Sequence, residues 1–95
     1  MRPSRNPLLI AALGVEIKAR RTELNLTQED VAGRMDSIDR PFISLIEVGR
    51  KQPTISVLHA LADALELRFE ELAARVDARY RKQLRAEAQK RSSEK

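Results

Sequence analysis

No cysteine and no tryptophan occur in this chain, and its 95 residues include only one histidine, three glycines and three aromatic rings. Without cysteine there is no disulfide framework and no thiolate metal site, and His59 alone cannot build an imidazole cluster. No metal or cofactor is therefore expected, and the composition fits a reducing, cytoplasmic setting. The chain also lacks a Ser-His-acid constellation and a Gly-rich phosphate loop, so no enzyme is expected. No apolar run approaches the roughly 20 residues of a membrane span. The segment PLLIAALGV after Arg2 and Arg5 superficially resembles a signal peptide, but Glu16, Lys18, Arg20 and Arg21 continue its helical pattern without a cleavage-like boundary.

What is present is aliphatic and charged, with 42% apolar and 34% charged residues. A core of Leu, Ile, Val and Ala suits packed helices better than a sheet, and the length supports one domain. The net charge is +4, but its distribution says more than its sum. Residues 8–74 hold eight Lys or Arg against eleven Asp or Glu, whereas residues 75–95 hold eight against three. The compact part is mildly acidic, so any case for nucleic acid rests on local pattern rather than on overall basicity.

That pattern predicts five helices. Asn6 before Pro7 reads as a cap and first helical residue, and Ile10, Leu13, Ile17 and Leu24 share one face of a helix over 7–24. Thr27 caps a second helix over 28–35, with Asp30 where a capping box places its acid. Val31, Ala32 and Met35 form its apolar stripe, and the small pair Ala32 and Gly33 invites close approach of another helix. Asp39 caps a third helix whose first turn tolerates Pro41, Gly49 ends it, and Pro53 prevents its resumption. Thr54 caps a fourth helix reaching about residue 65, with Ile55, Leu58, Leu61, Ala62 and Leu65 in period. After a break at 66–68 a fifth helix runs to about residue 90, with Phe69, Leu72, Val76, Tyr80 and Leu84 as a narrow apolar stripe. Glu71 to Arg75 and Asp77 to Arg81 have the favourable i, i+4 spacing.

A short helix, a tight turn and a second short helix with one anchored face form a helix-turn-helix, whose second helix can enter a DNA major groove about 12 Å wide. Phe42, Ile43 and Ile46 would anchor that helix, leaving Arg40, Pro41, Ser44, Leu45 and Val48 towards the other side. The ordered set TQEDVAGRM, DRPFISLIEVGRKQPT and LADALEL, spanning about residues 13–74, resembles the Xre family of bacterial and phage repressors. The resemblance implies an all-α, compact five-helix repressor-like bundle that binds operator DNA, usually as a dimer.

Carried over position by position, the resemblance gives Thr27 and Gln28 a phosphate role, in keeping with the anion preference of a helix N-terminus. Thr27 could instead serve only as a cap. Arg40 and Pro41 occupy the first reading positions, where Arg40 could grip guanine in a bidentate contact or hold a phosphate. Ser44 and Leu45 match the next groove-facing positions, with core packing as their alternative. Arg50, Lys51 and Gln52 match the loop that holds the sugar-phosphate backbone. Arg21 and Glu47 match an ion pair linking the first helix to the third. The chain departs from the family pattern in having Asp36 rather than Gly after the second helix, a longer turn, and Val48 where a polar or basic residue is common.

The domain organisation expected is a flexible arm over 1–6, a DNA-binding domain over 7–74 and a charged helical extension over 75–95 with a frayed end. Phe69, Leu72, Val76, Tyr80 and Leu84 are expected to form a homodimer interface. The alternative for the last three is packing back onto Leu8 and Leu9. The functional expectation is a transcriptional regulator, a dimeric repressor on a roughly palindromic operator of double-stranded DNA. The alternative is an antitoxin or other protein-binding module whose C-terminal helix wraps a toxin or regulatory partner.

Overall fold

The computed structural model describes residues 5–93, so Met1 to Ser4 of the expected arm and the last two residues of the extension lie outside the described residues. The described residues form five helices and no strand: α1 (Pro7–Glu23), α2 (Gln28–Gly33), α3 (Arg40–Glu47), α4 (Ile55–Ala64) and α5 (Phe69–Ser93). Among the described residues no helix is long and apolar enough to cross a membrane.

Each of the first four helices starts on the cap that its sequence supplies. Side-chain oxygens of Asn6, Thr27, Asp39 and Thr54 accept from the amides of Leu9, Asp30, Phe42 and Val57 at 3.0–3.2 Å. Each such cap contributes about 1 kcal/mol by satisfying an amide that has no intrahelical acceptor. At the start of α5 the backbone amide of Arg68 donates to Glu71 at 2.9 Å. Glu71 is thereby taken up, and the Glu71–Arg75 pair expected along the helix gives way to contacts of Arg75 with Glu16 and Glu23, at 3.5 and 3.4 Å. Asp77 and Arg81 do pair, at 3.0 Å.

Three helices end on a left-handed residue: Asn25 (φ 58°), Gly49 (φ 76°) and Glu66 (φ 59°). In each case the following amide bonds back to the last turn, Leu26 to Arg21, Arg50 to Leu45 and Leu67 to Ala62, at 2.9–3.0 Å. The conformation is natural for Gly49 and tolerated by Asn25, but it carries a steric cost at Glu66. Two guanidinium groups hold that corner. Arg20 donates to the carbonyls of Leu65 and Glu66, and Arg34 to the carbonyl of Ala64 and the carboxylate of Glu66. They also place positive charge at the negative end of α4. α2 stops two residues short of the expected 28–35, because the amides of Arg34 and Met35 bond three residues back and tighten its last turn.

The core is aliphatic, with Ile17, Val31, Ile43, Ile46, Leu61 and Leu65 fully buried. α1 lies along both α3 and α5. Its approach to α3 is set by Gly14, where a Cβ would fall 2.5 Å from the carbonyl oxygens of both Ile46 and Glu47. The close approach expected at Ala32 and Gly33 is not at Gly33, whose added Cβ would meet nothing within 4 Å. On the other side of α1, Glu16 is buried and receives Arg79 of α5 at 2.6 Å. Replacing Gly14 by Ala should destabilise the fold by about 1–3 kcal/mol, since only backbone shift can relieve the clash. Gly33→Ala should leave it unchanged or stabilise it by up to about 1 kcal/mol. Urea unfolding of the two variants checks the contrast.

Candidate nucleic-acid interface

The turn between α2 and α3 spans residues 34–39, with Ser37 at φ 59° supplying the reversal. Beyond it α3 has two unlike sides. Ile43 and Ile46 are fully buried and Phe42 is half-buried, while Arg40, Pro41 and Leu45 are exposed and Ser44 is half-buried. Val48, at the end of α3, is 64% exposed. The four expected reading residues therefore share the outer side of one anchored helix.

The angle of that helix is held by a polar chain running through three elements. Glu47, whose side chain is 3% exposed, takes a two-pronged contact from Arg21 of α1 at 2.7 and 3.0 Å. The third prong of Arg21 donates to the Leu26 carbonyl at 2.8 Å. The Glu47 carboxylate, hydrogen-bonded to Arg21, raises the guanidinium pKa above its ordinary value despite the opposing effect of burial. Gln28 of α2 donates its Nε2 to Glu47 at 3.0 Å, and its Oε1 accepts from Arg40 at 3.4 Å. The chemistry dictates this amide orientation, since an ionised carboxylate only accepts and a guanidinium only donates. Gln28 thus relays the buried ion pair to the exposed Arg40, leaving most of the Arg40 fork available.

Thr27 is more occupied than the sequence suggested. Its hydroxyl accepts from the Asp30 amide and its own amide donates to Asp30 Oδ2 at 2.8 Å, closing a full capping box. The backbone hydrogen bond from Thr27, reinforced by its side chain, holds the Asp30 carboxyl below its usual value. The Thr27 amide is thus consumed, and what Thr27 itself still offers a phosphate is its hydroxyl proton, beside the amides of Gln28 and Glu29 and the acids Glu29 and Asp30 of the first turn. Arg50, Lys51 and Gln52 are all exposed on the loop after α3. Lys51 sits over the Phe42 ring at 5.5 Å, which couples loop to helix through a cation–π contact.

Two residues of the expected dimer stripe, Leu72 and Val76, are corrected by the fold. Leu72 and Val76 are 1% and 8% exposed and belong to the core of their own protomer. Tyr80 packs against that core and accepts from Asn6 at 3.0 Å, and Leu84 shares a cleft with Pro7 and Leu8. Phe69 is half-buried beside His59, with ring centroids 5.5 Å apart. The middle of the stripe faces inward because α5 lies along α1, while Leu84 stays exposed. Exposed apolar surface instead flanks a cleft of about 440 Å³ between α1, α4 and α5, lined by Leu9, Pro53, Leu58 and Ala73 and bordered by Gln52 and Asp77. Ile55, 72% exposed, precedes Leu58 by one helical turn.

Sequence reasoning did not single out Gly14, the buried Glu16, or the Arg20 and Arg34 caps on α4. A glycine inside a helix was the available signal for the first, since it costs about 1 kcal/mol relative to Ala and so calls for a packing reason.

Comparison with known proteins gives a consistent picture. The helix-turn-helix family model HTH_3 matches residues 17–72. An uncharacterised HTH-type transcriptional regulator, y4dJ of Sinorhizobium fredii, is 39% identical over 57 residues, covering 60% of this chain and 73% of that protein. The clp gene regulator ClgR from Corynebacterium glutamicum shares the fold, with a TM-score of 0.81 over 93% of each chain at 23% identity. The restriction-modification controller protein C.Esp1396I, solved as a tetramer with its natural 35-base-pair operator, is 33% identical. That structure covers 72% of this chain and 93% of its own with a TM-score of 0.61.

Removing Arg21 leaves a nearly inaccessible carboxylate with Gln28 as its side-chain donor, so Arg21→Met should cost about 3 kcal/mol. Glu47→Gln keeps the shape without the stranded charge and should cost less. Denaturant unfolding of both variants decides this, and parental stability in each would remove the ion pair as the strut of α3.

Proposed function

The chain belongs to the HTH_3 helix-turn-helix family, the Xre type of DNA-binding transcriptional regulator, and from that premise we propose that it acts as a dimeric repressor reading a roughly palindromic operator through α3. The observation that carries this reading is the polar chain from Arg21 through Glu47 and Gln28 to Arg40, which presents one braced guanidinium on an exposed helix start. A braced, planar fork is suited to the O6 and N7 acceptors of guanine. Pro41 and Leu45 supply apolar contact, suited to thymine methyl groups, and Ser44 a short hydroxyl. Arg50, Lys51, Gln52 and the Thr27 hydroxyl hold phosphates and set register without reading sequence. The reading domain is residues 7–74, and the extension from 75 onward braces α1.

Selecting bound duplexes from a random pool and titrating the preferred site across a salt series tests this. Arg40→Ala should relax one base position by about 1–3 kcal/mol with little change in salt slope. Arg50→Ala should weaken all sequences alike and lower the slope by about one unit. The absence of any preferred site would overturn the reading.

For the dimer, the supporting feature is the cleft bordered by Leu9, Leu58 and Ala73, next to the exposed Ile55 and to the backbone-holding loop. A two-fold axis there would set the two loops near the seam, and operator binding then requires the α3 helices to stand about one DNA turn, roughly 34 Å, apart. Ile55→Glu alters a side chain already in water, so the protomer should keep its fold while sedimentation shows monomers and operator affinity drops. Unchanged association would place the two-fold elsewhere.

A further inference from the structure

α1 is apolar on both sides. No charged residue occurs from Pro7 to Val15, and while Ile10, Leu13 and Ile17 enter the core, Leu8, Ala11, Val15 and Ala19 run along the opposite, outer side. Val15 is 51% exposed. A helix with apolar residues all round is ordinarily covered on all sides. The outer stripe spans twelve residues, about 17 Å of helix, and its small alanines permit a close helix–helix approach. Beside it lies a groove of about 410 Å³ between α1 and α5, lined by Leu8, Ala11, Val15, Lys82 and Ala86. On the other flank stands Lys18.

The charges decide what fits. Among the described residues Lys18 and Lys82 form no ion pair, and Arg79 beside Lys82 is only partly neutralised by the buried Glu16. The acids nearest the stripe are Glu16, turned inward to α5, Glu47, enclosed by Arg21, and, at its two ends, Glu23 and Glu87, the latter sharing a cleft with Leu8 and Arg91. A second copy would offer the same lysines to one another with no carboxylate at mid-stripe to answer them. We infer that the outer face of α1, with the groove against α5, is a docking site for an amphipathic helix of another protein, one with large aliphatic residues on its inner side and Asp or Glu on its flanks. None of Thr27, Arg40, Pro41, Ser44 or Leu45 lines this surface, so docking is compatible with occupied DNA. The site is separate from the dimer cleft on the other side of α1.

The test uses the full chain and two synthetic 21-residue helical peptides, both with Leu at the two core positions of each heptad, one flanked by Glu and the other by Lys. Fluorescence anisotropy should show the Glu-flanked peptide binding roughly tenfold or more tightly than the Lys-flanked one, with the difference shrinking as salt rises. Lys82→Glu and Val15→Glu, both at exposed positions, should each weaken the Glu-flanked peptide about tenfold while operator affinity and sedimentation stay parental. Equal binding of the two peptides, or binding unaffected by both substitutions, would overturn the assignment. So would loss of self-association in Val15→Glu, which would make the stripe an interface between copies of this chain.

Discussion

Glu47 is the side chain on which the reading head depends. Its carboxylate is almost wholly enclosed and receives donors from two other helices, Arg21 of α1 and Gln28 of α2. A buried ion pair is a weak source of net stability, because desolvation offsets much of the attraction. Its value here is directional. If α3 rotated or slid, the carboxylate would lose its partners in a place that water cannot reach, and the displaced arrangement would cost several kcal/mol. The backbone contact at Gly14 acts at the same point, since the carbonyls of Ile46 and Glu47 rest directly against α1. A reading helix must be placed to within a fraction of a hydrogen-bond length, and this corner supplies that placement.

The same logic extends along α1. Glu16 lies about one turn before the adjacent Arg20 and Arg21 on it, and each leaves for a different neighbour: Glu16 for α5, Arg20 for the end of α4, Arg21 for α3. An aliphatic core with three aromatic rings has few shapes that fit only one way, and such cores keep their stability more readily than their uniqueness. The polar contacts around α1 fix the rotation of each helix against it, where apolar burial alone would tolerate several.

Much of the fold was legible because its signals are local. Asn6, Thr27, Asp39 and Thr54 announce helix starts through their own side chains, and Gly49 followed by Pro53 announces a stop. The Arg21–Glu47 link was legible only through resemblance, since nothing in the spacing of two charges 26 positions apart says that they meet. The stripe Phe69, Leu72, Val76, Tyr80 and Leu84 misled for a related reason. Periodicity shows that a helix face is covered, but it does not show whether the cover is another chain or an earlier part of the same one. α1 supplies that cover, and it does so because Glu16 and Asn6 bind Arg79 and Tyr80 across the seam. Arg20 escaped notice in this role because it holds the end of α4 through the backbone carbonyls of Leu65 and Glu66, which leave no trace in side-chain pattern.

The distribution of charge around α2 and α3 shapes how such a surface meets DNA. A helix start that cradles phosphate normally keeps its amides open and its first turn free of acids. α2 keeps only part of this arrangement, for the capping box takes the amides of Thr27 and Asp30, leaving those of Gln28 and Glu29, and Glu29 and Asp30 stand in its first turn. In the proposed reading, anchoring to the backbone falls mainly on the far side of α3, where Arg50 and Lys51 follow the helix and Lys51 is tied to it through Phe42. Few phosphate contacts per protomer mean a shallow electrostatic contribution to affinity, which two linked copies multiply. Specificity, in the same proposed reading, rests on a short surface in which Arg40 is the one long polar side chain, beside Pro41 and Leu45. The orientation of that single guanidinium carries, in the proposed reading, most of the hydrogen-bond readout, and the enclosed Glu47, acting through Gln28, is what orients it.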